Sequence, residues 1–214
     1  MTPEAYLALI GAYLAGSISF ASHFVRLMKG IDLRTVGSGN LGATNAARVL
    51  GRNWGIVIYV LDFLKGLVPV LIAQGPLRDI YLGDHAPTLS LLMGLAAFVG
   101  HCLPVWHNFR GGKGVATASG LAVGLAPWPV SVAVISAFGV GVLVSRTISL
   151  GSILAAATLP ISWVLASGKA GFAGQQIYEF GLFLVVGLLV IVRHRANMGR
   201  LLKGEEPRIG RAGK

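Results

Sequence analysis

Three observations predict an all-α polytopic membrane protein with seven transmembrane helices. The chain of 214 residues is 54% apolar and only 12% charged, about half the charged fraction of an average soluble domain. Its mean hydropathy is +0.72. Apolar blocks recur from end to end, which fits one integral membrane domain over 1–214 rather than a soluble domain with an anchor.

Crossing about 30 Å of hydrocarbon takes roughly 20 helical residues. The apolar blocks place spans at 6–24, 54–73, 88–105, 115–126, 129–143, 148–166 and 178–192. The first lacks a basic segment ahead of its apolar run, so it reads as a retained span and not a cleaved signal peptide. The fourth is too short to cross upright unless it begins inside the turn Gly111-Gly112-Lys113-Gly114. Five spans, with the fourth and fifth re-entrant, is the alternative. Ala126-Pro127-Trp128-Pro129 breaks helix, with Trp128 suited to an interface.

Charge orients the set. Lys29, Arg34, Arg48, Arg52, Arg110, Lys113, Arg146, Arg193, Arg195, Arg200, Lys203, Arg208, Arg211 and Lys214 fall on one side, whereas the opposite loops hold only Arg78 and Lys169, beside Glu4, Asp79 and Asp84. The positive-inside rule puts the basic side in the cytoplasm. The C-terminus is then cytoplasmic and, with seven spans, the N-terminus outside. Localisation follows as a multi-pass membrane protein with its polar loops facing the cytoplasm.

The net charge of +10 therefore bears on orientation and lipid. No exposed domain is long enough to offer a basic, aromatic-lined face to nucleic acid. The single cysteine, Cys102, allows no internal disulfide, and no metal-ligand spacing occurs. Of the 30 glycines, most let helices approach closely, Gly120-x-x-x-Gly124 being the pattern for it. The tail KGEEPRIGRAGK reads as a flexible basic end near anionic lipid.

The segment Val36-Gly37-Ser38-Gly39-Asn40-Leu41-Gly42 contains G-x-G-x-x-G, and Asp62 follows at the distance of a ribose-binding carboxylate. A dinucleotide site also needs a strand before the glycines and a βαβ unit around them. Here a polar GIDLRTV precedes them, and Asp62 lies inside the second span, where Lys65 three residues on can pair with it. A Walker A loop fails as well, because His107 and Gly114 occupy positions that require glycine and Ser or Thr. Still, glycines let backbone N–H groups converge on an anion, and 41–48 reads as a helix whose N-terminus favours negative charge. The expected ligand is a phosphate that is not a nucleotide.

Four polar segments stand at the cytoplasmic ends of spans: GSGNLGATNAAR (37–48), HNFRGGKG (107–114), SRTISLGS (145–152) and RHRAN (193–197). Packed helices could bring them to one pocket open to lipid, suiting a substrate with one phosphorylated end and one greasy end. Lys113, between Gly112 and Gly114, can neutralise a phosphate oxygen or snorkel to headgroups as an anchor. Arg48, about three turns into the helix after the glycines, can reach back to the same phosphate. Gly37, Ser38, Gly39, Asn40, Thr44 and Asn45 can donate to an anion or form turns. Ser149 and Ser152 can bind substrate or satisfy the start of a helix. His194 and Asn197 share a face, the histidine as general base or phosphate donor. His23, His85, His101 and His107 have no acidic partner at helical spacing and read as structural.

The blocks DLRTVGSGNLGATNAARVLG, VGHCLPVWHNFRGGKGVATA, SLGS and VRHRANMGRLL together resemble the bacterial membrane glycerol-3-phosphate acyltransferases that use acyl phosphate, the PlsY family. The likeness runs essentially end to end. It implies a seven-helix membrane enzyme that moves a fatty acyl group from acyl phosphate to the 1-hydroxyl of sn-glycerol 3-phosphate. The products implied are lysophosphatidic acid and phosphate, with no acyl-CoA, metal or other cofactor. Family functional positions fall on Ser38, Arg48, Lys113, Ser152, His194 and Asn197. The residues agree with that chemistry: no histidine has an aspartate five positions on, and an acyl phosphate is activated enough to need no protein nucleophile. The expectation is direct, substrate-assisted transfer in which orientation and charge do the catalysis. A transporter for a phosphorylated solute is the rival, though transporter sites generally lie near the midplane.

Overall fold

The computed structural model describes residues 2–75, 86–168 and 174–210. The sparse charges expected on the outer loops (Arg78, Asp79, Asp84 and Lys169), as well as His85, Arg211 and Lys214, lie outside the described residues. The described residues form helices and turns in two compact units, 1–125 and 126–214.

The first unit opens with α1 (Pro3–Ser17), started by a proline at its first position and by the Thr2 side chain, which accepts from Ala5 N. The helix breaks at Ile18, and Ser19 caps a second helix, α2 (Phe20–Lys29), that stops at Gly30 with φ +70°. The first apolar run is thus one interrupted span. A 3-10 turn at Leu33–Thr35 leads to α3 (Ala43–Leu50) and the long α4 (Arg52–Gln74). Two further helices, α5 (Ala86–Cys102) and α6 (Val115–Leu125), complete the unit.

Small residues set how closely these helices meet. A Cβ on Gly66 of α4 would overlap the Thr117 carbonyl of α6, and one on Gly120 would overlap the Phe63 carbonyl of α4. Gly124 lies against Val70 of the same α4. The Gly120-x-x-x-Gly124 pattern therefore acts as read, and α4 is the helix it admits. Gly16 of α1 and Gly100 of α5 fit each other's backbones in the same way.

The second unit starts at α7 (Trp128–Ser145), which ends on Arg146 at φ 58°. Thr147 caps α8 (Ile148–Ser167), its side chain accepting from Leu150 N. Gly141 of α7 and Gly151 of α8 approach backbone to backbone. The unit closes with α9 (Gln176–Arg193) and the short α10 (Arg195–Leu202), with Trp163 of α8 packed on Phe180 and Phe183 of α9.

Among the described residues, six helical stretches are long and apolar enough to cross a membrane: Pro3–Lys29, Arg52–Gln74, Thr88–His107, Trp128–Ser145, Ile148–Ser167 and Gln176–Arg193. The expected fourth span is α6, which has only 11 residues. It begins directly after Gly114, at φ +85°, so the Gly111–Gly114 turn adds no helical length.

Gly120→Val is expected to lower stability by about 1–3 kcal/mol, the usual range for overpacking, because the added carbons meet the α4 backbone. Gly11→Val, where an added Cβ meets nothing within 4 Å, serves as the comparison. Thermal unfolding of the purified proteins in detergent checks the difference.

Candidate active site

In the first unit, the glycine-rich loop is shaped by a buried carboxamide. Asn45 is only 2% exposed. Its Nδ2 donates to Leu33 O (3.2 Å) and Val36 O (3.0 Å), while its Oδ1 accepts from Ser38 N (3.0 Å). One side chain thereby ties Leu33, Val36 and Ser38 together around Gly37, just ahead of Gly39. Both glycines adopt positive φ, +58° and +67°, a region that residues with a Cβ rarely enter. Asn45, read from sequence as a ligand group or turn former, uses its polar atoms to build the loop. The Ser38 N–H is engaged by it as well. The Ser38 side chain stands on the exposed outside of the turn, as does Thr44 on α3.

Arg48 lies nearer to this loop than sequence spacing suggested. The helix begins at Ala43, so Arg48 sits in its last turn and not three turns in. Its Cδ comes 3.7 Å from the point a Cβ on Gly37 would occupy. The exposed guanidinium is thus carried beside the Gly37-Ser38 turn. Asp32 and Arg34 flank the loop in a bidentate ion pair, Nη2 to Oδ2 being 2.6 Å. Hydrogen bonds from Arg34 hold the Asp32 carboxyl down to about 2.

The loop at 110–114 meets the first through Asn40, whose Nδ2 donates to Gly111 O at 3.4 Å. Its own backbone is tied back to the end of α5: Gly111 N donates to Cys102 O (3.2 Å) and Gly112 N to His101 O (3.1 Å). These two N–H groups are therefore engaged with carbonyls. The glycines answer to close packing, since a Cβ on Gly112 would overlap the His101 imidazole and one on Gly114 would overlap the Phe98 ring. Lys113 is half-buried between them at the mouth of α6. In the first unit the Asn40–Gly111 hydrogen bond thus joins the loop of Ser38 to the loop that carries Lys113.

Below these loops lies a charged cluster. Lys65 Nζ pairs with Asp62 Oδ1 at 2.7 Å, as the three-residue spacing predicted. The lysine also donates to Ile18 O, the carbonyl released by the break between α1 and α2, and stands 4.8 Å from the Phe20 ring centroid. His101, which has no acidic partner at helical spacing, has one from another helix: its Nδ1 is 3.6 Å from Asp62 Oδ1. Spacing along one helix could not show this.

The second unit holds the remaining polar residues where α8, α9 and α10 adjoin. Ser149 and Ser152 are buried in the first turns of α8, with Ser152 Oγ donating to Ile148 O (2.9 Å). His194 and Asn197 are buried at the start of α10. His194 Nδ1 lies 2.8 Å from Val190 O. A carbonyl only accepts, so Nδ1 carries the proton and Nε2 is the acceptor of the neutral ring.

A carboxylate that sequence reading missed organises this group. Glu206 is buried, accepting from Asn197 Nδ2 (2.6 Å) and Arg200 Nε (2.7 Å). Burial pushes its carboxyl up, but hydrogen bonds from Asn197, Arg200 and Ser149 outweigh this and hold it below the usual glutamate range. Ile209 N donates to Arg146 O at 2.7 Å. The tail expected to be flexible is therefore docked as far as Ile209. Only the Glu205-Glu206 pair within a basic tail could have hinted at a buried partner. Among the described residues, no group of three or more His, Cys, Asp or Glu side chains could hold a metal ion.

A family model described as glycerol-3-phosphate acyltransferase matches residues 6–204. A glycerol-3-phosphate acyltransferase of Anaeromyxobacter dehalogenans (strain 2CP-1 / ATCC BAA-258) is 41% identical over 211 residues, covering 98% of this chain and all of the relative. One from Aquifex aeolicus (strain VF5) is 42% identical over 207 residues, covering 96% and 99%. Two crystal structures of PlsY (YgiH), an integral membrane glycerol 3-phosphate acyltransferase, are also similar. The glycerol 3-phosphate form has a TM-score of 0.83 at 39% identity, and the lysophosphatidic acid form 0.80 at 37%. Each comparison covers 97% of this chain and 96% of the other.

Because the Glu206 carboxyl is held below its unfolded value of about 4.3, its stabilising contribution is complete above that pH and disappears as pH falls through the lowered value. Glu206→Gln is expected to be less stable than the parent at neutral pH. The gap should close on acidification, as read by unfolding midpoints across pH 3–7 (roughly the carboxylate titration range).

Proposed function

Since the chain belongs to the family of integral membrane glycerol-3-phosphate acyltransferases, we propose that its donor is acyl phosphate and its acceptor the 1-hydroxyl of sn-glycerol 3-phosphate. The products are lysophosphatidic acid and inorganic phosphate, made in phospholipid biosynthesis. The reaction runs at the cytoplasmic face of the bacterial inner membrane. Seven spans place the C-terminus inside and the N-terminus outside, with α6 as the short fourth span.

The observation that carries this reading is the Asn40–Gly111 hydrogen bond. It joins the loop of Ser38 and Arg48 to the loop of Lys113, so two cations flank one polar surface. Both substrates bring a phosphate, and a fixed lysine and arginine neutralise such a group better than mobile ones, because the ordering is done before binding. Gly37 and Gly39 give the first loop its positive-φ turn, and Gly112 and Gly114 let the second loop lie against His101 and Phe98, so that both loops present their backbones at the phosphate site. Thr44 borders it on α3, and Asn45 acts by positioning the Ser38 turn.

Within the second unit, Ser149, Ser152, His194 and Asn197 are the residues suited to binding glycerol phosphate or the donor. Glu206 orients Asn197, and the Val190 carbonyl takes the Nδ1 proton of His194, leaving Nε2 of the neutral ring to accept from a substrate hydroxyl.

Transfer is direct. The glycerol hydroxyl oxygen attacks the acyl carbonyl carbon, and the bond from that carbon to the phosphate oxygen breaks. The departing phosphate takes the hydroxyl proton, so no acyl-enzyme and no cofactor are required. Phosphate is a good leaving group, and the protein supplies alignment and charge stabilisation in place of a nucleophile.

Purified protein in detergent is expected to form lysophosphatidic acid from acyl phosphate and glycerol 3-phosphate, and none from acyl-CoA. A solute transporter would show no turnover without compartments. Lys113→Ala should lower kcat/KM by about a hundredfold or more, the usual loss for one charge-stabilising group, while the variant still purifies folded. Activity near the parent level would remove Lys113 from the phosphate site. Accumulation of an acyl-protein adduct would overturn direct transfer.

A further inference from the structure

The cluster of Asp62, Lys65 and His101 takes no part in the reaction above, yet it lies directly beneath the loop of Lys113. Lys65, His101, Gly111 and Gly112 line one narrow cleft together with Leu41, next to Ile18 and Ser19 at the break of the first span. Polar groups so far inside an apolar bundle are costly to keep and call for a reason.

The contacts run in one direction, from the centre of the unit to the loop. Asp62 Oδ1 holds Lys65 Nζ at 2.7 Å and stands 3.6 Å from His101 Nδ1. At 3.6 Å the second contact is electrostatic and not a hydrogen bond. The other edge of the imidazole faces Gly112: a Cβ there would overlap Nε2 and come within 2.8 Å of Cε1. The backbone of the same histidine accepts from Gly112 N at 3.1 Å, and its neighbour Cys102 from Gly111 N at 3.2 Å. Gly112 is therefore held by both the ring and the carbonyl of His101, one residue before Lys113. Across the loop, Gly111 O accepts from Asn40, so any shift of this support also reaches the Ser38 turn. Asp62 is itself pinned, since its carbonyl accepts from Thr117 Oγ1 of α6 at 2.9 Å.

We propose that His101 is a positioning residue for the Lys113 loop, with its imidazole wedged between the buried Asp62–Lys65 pair and Gly112, and that this wedge sets the affinity for a phosphate-bearing substrate. The inference rests on the reading that Lys113 holds phosphate. It adds a group that never touches substrate yet decides where the lysine stands. A glycine loop without a support from below would keep its backbone freedom, and binding would have to order it each time.

Steady-state kinetics with both substrates varied tests this. His101→Ala is expected to raise the KM for acyl phosphate or for glycerol 3-phosphate about tenfold, with kcat changed by less than about threefold, the pattern of lost binding. His101→Asn, which keeps an amide facing Asp62, should bring that KM back to within about threefold of the parent. A role in bundle stability alone would lower the yield of folded enzyme and leave the KM of the folded fraction unchanged. Unchanged KM values in folded His101→Ala overturn the proposal, as does an asparagine variant no better than alanine. If His101→Ala does not purify folded, His101→Gln replaces it. Its amide lies on the Gly112 side and gives up the contact with Asp62, which keeps only Lys65, so the same KM must rise, and a parental value overturns the proposal. Failure of the parent enzyme to use acyl phosphate would instead overturn the functional reading, and the parent assay reports that separately.

Discussion

Inside hydrocarbon, a polar group has only the protein to bond with, and every feature of this chain follows from that constraint. Its helices satisfy their own backbones over long apolar stretches, so they can face lipid with Leu, Ile and Val. Where the backbone leaves the helix, a partner must be supplied. At the break between α1 and α2 the freed Ile18 carbonyl is met by Lys65, whose charge is in turn met by Asp62. In the turn after α2, Asn45 supplies three hydrogen bonds to backbone that could not pair with itself.

The same constraint explains why side chains that read as substrate ligands turn out to be partly architectural. An amide such as Asn45 is chemically suited to a phosphate, but it is equally suited to a bent backbone, and burial decides between the two. Arg48 and Ser38 are exposed and Lys113 half-buried, while the loops that carry or flank them are held from within by Asn45 and by the end of α5. In the second unit, Glu206 performs for Asn197 what Asn45 performs for the Ser38 turn.

How much could be read without coordinates depended on the range of each contact. The Asp62–Lys65 pair was legible because three residues make one helical turn. The Gly120 and Gly124 packing was legible because four residues do. The acid beside His101 was not legible, because it comes from α4 while the histidine sits on α5. Glu206 was lost in a tail that composition alone describes as basic and mobile. The position of Arg48 was misjudged because the start of α3 depends on where the loop held by Asn45 ends.

Composition, periodicity and the placement of Gly, Lys and Arg thus determined an all-helical membrane chain, the polar segments at helix ends, and the motifs that carry its family resemblance. These are properties of a residue and its near neighbours, so a linear string records them. Tertiary structure alone decided which hydrogen-bonding groups are consumed in holding loops, which helix supplies His101 with an acid, and how Gly112 comes to lie on an imidazole. Those outcomes depend on distances between residues far apart in the chain, and only the packing of the helices sets them.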